Sequence, residues 1–474
     1  MSIKKQIAHN TIMQIIGKMI STALGLVALG MLTRYLGTEK FGWYITTLTF
    51  LQFIGILIDF GLIPVSAQML GEAKFHKSKL FNNLLTYRFT TAIVFLGLAP
   101  LIALFFPYPP EVKIAISFST ISFLSIAINQ ILVGNYQTKL KMIIQIIGEI
   151  IGRITLITGL YFLIKGQADF LTIMILVMLS NIAYTLTMLI HTHLKEYKLK
   201  FSFDKKIWSE ITTKMWPIAI SIIFNVVYLK GDTLLLSIFT NQTEVGIYGA
   251  AYRVLDVLTQ TAMMIMGLFL PLLAFSWGQN LKQEFKERWQ LSFDTMMLLA
   301  IPMTVGLIML SDKIMILVAG EDFTEAGNIL KILALAIFGV YLGAVFGHSA
   351  VAINRQKQTI KIYLISAVIT LTGYLYFIPK YTIYGAAYMT IFSEIFTGLA
   401  LYFVIKKYIK EHLSLKTFVK ILFSSLIMGI VLYYLINLNV LLLILIGIIT
   451  YSIMILLTKT ISKKTILEIF NLKK

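Results

Sequence analysis

The chain has no cysteine among its 474 residues, and only 13% of them are charged. The first absence removes disulfides, thiolate metal sites and cysteine nucleophiles. The second is about half the charge of an ordinary soluble domain, which carries roughly 25%. No Walker A sequence, glycine-rich nucleotide loop, HExxH or GxSxG is present, so no cofactor or metal site is expected. Extramembrane sequence is also scarce. The longest polar interval, 191–214, is about two dozen residues, and the others are short, such as PYPPE and TNQTE. An enzyme acting at a membrane face would need a catalytic acidic loop. The one acidic loop expected outside, Glu321-Asp-Phe-Thr-Glu325, has no matching partner. An enzyme is the weaker reading.

What fills the chain is hydrocarbon. Hydrophobic residues make up 58%, and the mean hydropathy is +0.83. Apolar runs of about twenty residues recur from end to end, the signature of an all-α polytopic membrane protein. We place fourteen spans, at 10–32, 42–64, 84–106, 112–136, 144–164, 169–190, 215–239, 244–273, 290–311, 329–353, 359–378, 383–404, 418–437 and 439–458. Segment 312–328, interrupted by Asp312 and Lys313, is expected as a short interfacial piece. Met1-Ser-Ile-Lys-Lys leads into the first span with no small-residue cleavage site, so that span is expected to stay as an anchor.

Fourteen spans put both termini on one side. With the termini in the cytoplasm, 29 of the 41 Lys and Arg fall in inner loops, 7 in outer loops and 5 inside spans. That asymmetry fixes the orientation in the cell membrane by the positive-inside rule. The net charge of +19 is then topology and attraction to anionic headgroups, not a nucleic-acid footprint.

The two halves look alike. Each opens with a helix pair around a short outer turn, Thr38-Glu-Lys-Phe-Gly-Trp-Tyr44 and Thr243-Glu-Val-Gly-Ile-Tyr248. Each turns from its fourth to its fifth helix on a basic inner loop, Asn135-Tyr-Gln-Thr-Lys139 and Asn354-Arg-Gln-Lys357. Ile247-Tyr-Gly-Ala-Ala-Tyr252 recurs letter for letter at 383–388. Parallel repeats follow, because six spans per half is an even number. The expected organisation is a six-helix lobe at 1–190, a basic cytoplasmic loop at 191–214, a second six-helix lobe at 215–404, and two further helices with a basic tail at 405–474.

Charges inside such spans are expensive and usually turned inward. Asn10, Gln14, Lys18 and Ser21 share one face of the first helix, and Tyr248, Tyr252, Asp256 and Gln260 one face of the eighth, with Arg253 beside them. Arg253 lies about nine residues from the outer end, roughly 13 Å deep at about 1.5 Å per residue. Each candidate has a plainer alternative. Lys18 can snorkel to the headgroups. Glu149 and Arg153, at i and i+4, suit an intrahelical pair, and Arg253 and Asp256 suit another. Lys230 and Asp232 face different sides of the seventh helix, and Asp232 suits an interlobe contact. Asp59 suits a cap or a contact with a loop lysine. Glu394 has no partner nearby in sequence, as suits a carboxyl that binds a proton or coupling ion. His191 and His193 read as loop residues, Met263–Met266 as packing or lipid-facing, and the sequon Asn241-Gln-Thr243 as a short match.

The stretches Asp232-Thr-Leu-Leu-Leu, Glu244-Val-Gly-Ile-Tyr-Gly-Ala-Ala-Tyr-Arg-Val-Leu and Pro271 resemble the Wzx-type polysaccharide flippases of the multidrug/oligosaccharidyl-lipid/polysaccharide exporter superfamily. Gly320-Glu-Asp-Phe-Thr-Glu-Ala, Leu330-Lys-Ile-Leu333 and Asp59-Phe-Gly-Leu62 add to the likeness, which covers essentially the whole chain. One departure is Gln68, where relatives often carry a basic residue. The resemblance implies two six-helix lobes in a V around a cavity, alternating access, and a polyprenyl-diphosphate-linked oligosaccharide as cargo for O-antigen-like or other cell-envelope polysaccharide. Membrane lipids and polysaccharide-assembly proteins are the implied partners. On that cargo Arg253, Asp256, Lys18, Lys230, Asp232, Arg153, Tyr248 and Tyr252 would line the path, and Glu394, Asp59 and Glu149 would serve ion coupling. The competing readings are a drug/cation antiporter of the same superfamily, with an acid-lined pocket, and a membrane glycosyltransferase or polymerase.

Overall fold

The computed structural model describes residues 3–460 apart from 73, 140 and 410. The tail 461–474, expected to be basic and cytoplasmic, lies outside the described residues. Thirteen α-helices and one 3-10 turn, with no strand, account for the fold among those residues. In hydrocarbon each backbone N–H and C=O must be bonded within its own segment, and helices do this. Eleven of the helical segments are long and apolar enough to cross a membrane, which makes this a multi-pass membrane protein.

The helices are α1 (Ile3–Asp59), α2 (Leu62–Gly71), α3 (Lys77–Ala103), α4 (Pro110–Thr138), α5 (Ile143–Lys165), α6 (Phe170–Lys195) and α7 (Lys205–Phe239). They continue as α8 (Gln242–Gly278), α9 (Lys282–Ala319), α10 (Thr324–Ala352), α11 (Gln356–Ile409), α12 (Lys416–Tyr434) and α13 (Val440–Leu457). α1 breaks at Gly37, whose φ of 66° costs glycine little, and α11 breaks at Thr382, with φ of 49°. Each is therefore two spans, and the fourteen expected spans all have helical counterparts.

Three expectations need correction. Segment 312–328 is not a separate short piece: α9 runs through Asp312 and Lys313 to Ala319, and only the 3-10 turn Glu321–Phe323 separates it from α10. The interval 191–214 is mostly helical, leaving 196–204 as loop. The second span stops at Asp59, and the chain restarts at Leu62 after Phe60 (φ 39°) and Gly61 (φ 87°).

The chain forms two compact units, Met1–Gly246 and Ile247–Lys474. In the first, one apolar cluster joins α2, α3, α4, α6 and α7 through Leu62, Phe81, Tyr136, Met188 and Ile211. Another joins α1, α3 and α4 through Phe50, Leu96 and Ile116. In the second unit α10 is the central helix, with 67% of its most apolar window buried. α12 and α13 pack on α9 through Leu310, Met428, Leu432 and Leu443.

Candidate functional site

Within the first unit the polar candidates gather where α1 meets α5. A Cβ on Gly17 would strike Ile146, the Ser21 hydroxyl donates to Glu149 Oε1 at 2.5 Å, and the Arg153 guanidinium lies 3.6 Å from where a Cβ on Gly25 would stand. Positions 17, 21 and 25 are one helical turn apart and meet 146, 149 and 153, so the two helices run parallel over a small-residue stripe. That stripe explains a departure from expectation. Glu149 and Arg153 form no ion pair with each other among the described residues, because both side chains are drawn to α1. Lys18 is half-buried one turn from Ser21, and the side chain of Asn10 lies outside the described residues.

Asp232 is fully buried in α7; its Oδ1 accepts from the Thr233 amide at 2.6 Å and the Thr233 hydroxyl at 3.2 Å. Lys230 is half-buried two residues before it. Asp59 ends α1 and lies 3.3 Å from Arg88, whose side chain is only 1% exposed. Arg88 also donates to the carbonyls of Ile58 and Ala127 and to the Gln130 side chain. Sequence reading passed Arg88 over, although a lone arginine deep in an apolar helix is itself a signal.

The second unit carries the α8 stripe. Arg253 and Asp256 lie 4.0 Å apart, with side chains 35% and 29% exposed. At that separation the contact is electrostatic rather than a formed hydrogen bond, and the guanidinium keeps donors for an anion. Tyr252 is half-buried, its ring 5.7 Å from that of Tyr248. Tyr248 itself is fully buried, with its hydroxyl 3.3 Å from Thr390, which also meets Tyr374 at 2.9 Å. Glu394 is half-buried on α11, where Gly339 of α10 crosses its backbone, and it lies within electrostatic reach of Tyr363.

The remaining motifs have structural uses. The sequon's Asn241 accepts from the Glu244 amide at 2.9 Å and so caps α8. His191 meets the Tyr136 hydroxyl at 3.0 Å, and His193 accepts from the Leu199 amide at 3.2 Å. Met263 and Met264 are exposed on the apolar surface, and Gln68 donates to Glu72. No group of acids and histidines able to hold a metal occurs among the described residues.

These features define a multi-pass helical membrane fold with cations and carboxylates inside its long apolar helices. The polysaccharide biosynthesis protein family matches residues 7–277, more than half of the chain, and the chain belongs to that family. The MatE family matches residues 217–374. The chain is 28% identical over 248 residues to the probable low-salt glycan biosynthesis flippase Agl15 of Haloferax volcanii, covering 52% of this chain and 51% of that protein. It is 23% identical over 215 residues to the capsular polysaccharide biosynthesis protein CapF of Staphylococcus aureus, covering 45% and 54%. The chain thus spans about half the length of the curated relatives it matches. Among solved structures, the lipid II flippase MurJ in an inward-closed conformation superposes with a TM-score of 0.78 at 20% identity, over 93% of this chain and 97% of that one. An inward-facing multidrug resistance MATE family transporter superposes with a TM-score of 0.66 at 11% identity, over 84% and 98%. At these identities the likeness establishes the shared fold.

Proposed function

We propose that the protein is a flippase, moving a polyprenyl-diphosphate-linked oligosaccharide from the cytoplasmic to the outer leaflet by alternating access, for cell-surface polysaccharide assembly. Membership of the polysaccharide biosynthesis family carries the reading, and the fold shared with a lipid II flippase supports it. In this reading both termini are cytoplasmic, as the distribution of Lys and Arg favours. The chain is a transporter, not an enzyme, and the two halves act as parallel six-helix lobes.

The cargo's phosphates need cations along a shielded path. Arg253 is the first choice, half-buried at depth and only loosely held by Asp256. Tyr252 offers a ring face to sugars, whereas Tyr248 serves packing. Arg153 and Lys18 add positive charge beside Glu149, and Lys230 lies close in sequence to Asp232. Glu394, Glu149 and Asp59 remain the carboxyls to test for ion coupling.

The deciding experiment uses purified protein in liposomes that contain a fluorescent polyprenyl-diphosphate oligosaccharide. Exposure of inner-leaflet headgroups to an external quencher should depend on the protein and slow by about tenfold or more in Arg253→Gln, the scale of one lost charge-assisted contact. The match to the MatE family favours one competitor, a drug/cation antiporter. Absence of exposure with any lipid-linked glycan, alongside proton-driven uptake of an organic cation, would establish that reading instead.

A further inference from the structure

The connection between α6 and α7, residues 196–204, has no regular secondary structure, yet it is fixed along α3 like a strap. The Asn82 side-chain amide donates to the Lys198 carbonyl at 3.2 Å, and its Oδ1 accepts from the Lys200 amide at 3.3 Å. The Ser202 amide donates to the Thr86 hydroxyl at 3.0 Å, and the Asp204 amide to Asn83 Oδ1 at 2.8 Å. Alternate amides of the strap thus find acceptors on one helix, and both asparagines are fully buried. Glu196 pins the start through Lys139 and Lys141, and Asp204 pins the end through Lys79 at 2.5 Å.

What this fixed strap presents outward is apolar and basic. Phe201 and Phe203 are 75% and 70% exposed. The Phe201 ring lies 5.2 Å from that of Phe89 on α3, and the Phe203 ring 4.8 Å from that of Trp208 at the start of α7. Phenyl rings held out in this way are unfavourable in water and mark a surface that another apolar phase covers. Phe89 is five residues inside the span expected to begin at position 84, about 7 Å deep at about 1.5 Å per residue. The apolar face of an interfacial segment settles at a similar depth, roughly 5–10 Å. Non-helical backbone is tolerated there when its polar groups are bonded within the protein, as alternate amides are here. Lys198, Lys200, Lys205 and Lys206 flank the two rings; all four are exposed and, among the described residues, form no ion pair.

From the fixed backbone, the two outward phenyl rings and the flanking lysines we infer that this strap lies in the membrane interface and docks on anionic phospholipid. Phe201 and Phe203 enter the headgroup–acyl boundary, and the lysines meet the headgroup phosphates. Charge complementarity selects that occupant: each lysine adds attraction to an anionic surface, and the rings add apolar burial. The strap leads directly into α7, so docking also holds the base of α7 against α3, where the rings of Tyr87 and Trp208 lie 4.9 Å apart. The inference does not rest on the flippase reading: the strap lies wholly in the first unit, and its test uses no glycan cargo.

The chain has no cysteine, so the full-length protein accepts a single nitroxide at one introduced cysteine. Phe201→Cys and Phe203→Cys are compared with Gln279→Cys, an exposed polar position on the turn between α8 and α9. All three are placed in nanodiscs of phosphatidylcholine mixed equally with phosphatidylglycerol, after matching melting temperatures have shown that they fold. The ratio of collisions with lipid-soluble oxygen to collisions with a water-soluble nickel chelate should be severalfold higher at 201 and 203 than at 279. A second measurement needs no label. In native mass spectrometry, retention of phosphatidylglycerol over phosphatidylcholine is compared for wild type, for Lys198→Gln with Lys200→Gln, and for the control pair Lys282→Gln with Lys357→Gln. One lysine near an anionic surface is worth about fivefold in binding, so the strap pair should lose preference about fivefold or more and the control pair much less. Nickel chelate reaching 201 and 203 as readily as 279 would overturn the docking. Equal loss in the two lysine pairs, or loss in neither, would overturn recognition of anionic lipid by the strap.

Discussion

Arg88 on α3 reaches across to the end of α1 and sits 3.3 Å from the Asp59 carboxylate, holding the residue before the chain breaks at Phe60 and Gly61. The same guanidinium takes the Ile58 carbonyl at 2.9 Å and the Ala127 carbonyl at 3.1 Å, so three helices share one buried cation. Truncating it to Ala would leave a carboxylate and two carbonyls without their donor. Thermal unfolding in detergent should reveal a loss of about 3 kcal/mol or more. Lys should rescue little of this, because one ammonium cannot reproduce a fork of directed donors. Asp59→Asn should cost less than Arg88→Ala, since the arginine keeps its other acceptors. Equal stability of Arg88→Ala and wild type would refute the clasp.

A second prediction concerns closest approach. An added Cβ at Gly42 would stand 1.7 Å from the Gln242 carbonyl oxygen, and one at Gly246 would stand 2.0 Å from that of Thr38. These obstacles are backbone and cannot rotate away. Gly42→Ala and Gly246→Ala should each lower the melting temperature, and the double variant should cost less than their sum, because one forced separation relieves both. Gly97→Ala meets nothing within 4 Å and should be neutral or slightly stabilising, by up to about 1 kcal/mol.

The aromatic pair on α8 should separate packing from transport. Tyr248→Phe removes the hydroxyl that meets Thr390 and should cost about 1 kcal/mol of stability with flipping nearly unchanged. Tyr252→Ala should slow flipping of a glycan-bearing lipid while leaving the melting temperature within a few degrees. The reverse pattern would remove Tyr252 from the path.

The fourth prediction is a pH dependence. Burial works against ionisation of Glu196, but Lys139 and Lys141 outweigh it and hold the carboxyl below its ordinary value of 4.5. A carboxyl lowered in the folded state stabilises fully above its unfolded value, and that contribution fades as pH falls through the folded one. Melting curves of wild type and Glu196→Gln should therefore differ by a constant amount at neutral pH and converge only below pH 4.5. Convergence at neutral pH would mean the lysines do not act through this carboxyl.

The repeat in the sequence has a counterpart in geometry inside each unit. Lys139, on the turn after α4, stacks on Tyr197, which follows α6. Arg355, on the turn after α10, stacks on Tyr408 near the end of α11, its guanidinium 4.5 Å from the ring centroid. Both cations lie in the motifs that had suggested the repeat, but neither tyrosine was legible as the partner. Tyr197 is 58 positions from Lys139, and spacing says nothing about contacts at that range. Arg88 was likewise visible as a buried charge, while its acceptors on α1 and α4 were not. Glu149 and Arg153 show the opposite failure. Their i,i+4 spacing correctly placed them on one face of α5, and the local rule then paired them with each other. It had no knowledge that Ser21 and Gly25 would lie opposite.

What the sequence determined by itself was everything set by the solvent. Hydrocarbon demands long apolar helices, and the composition shows where those helices lie and which intervals between them carry the lysines. The short turns read at 38–44 and 240–244 were likewise legible, because turn chemistry is local, although the break itself falls at Gly37. Tertiary structure decided which partner each buried charge takes: Asp59 for Arg88, Ser21 for Glu149, Tyr197 and Glu196 for Lys139. It also ran α9 straight through Asp312 and Lys313. These outcomes depend on how helices distant in sequence pack against one another, and a single helix's periodicity carries no information about the residues it will meet.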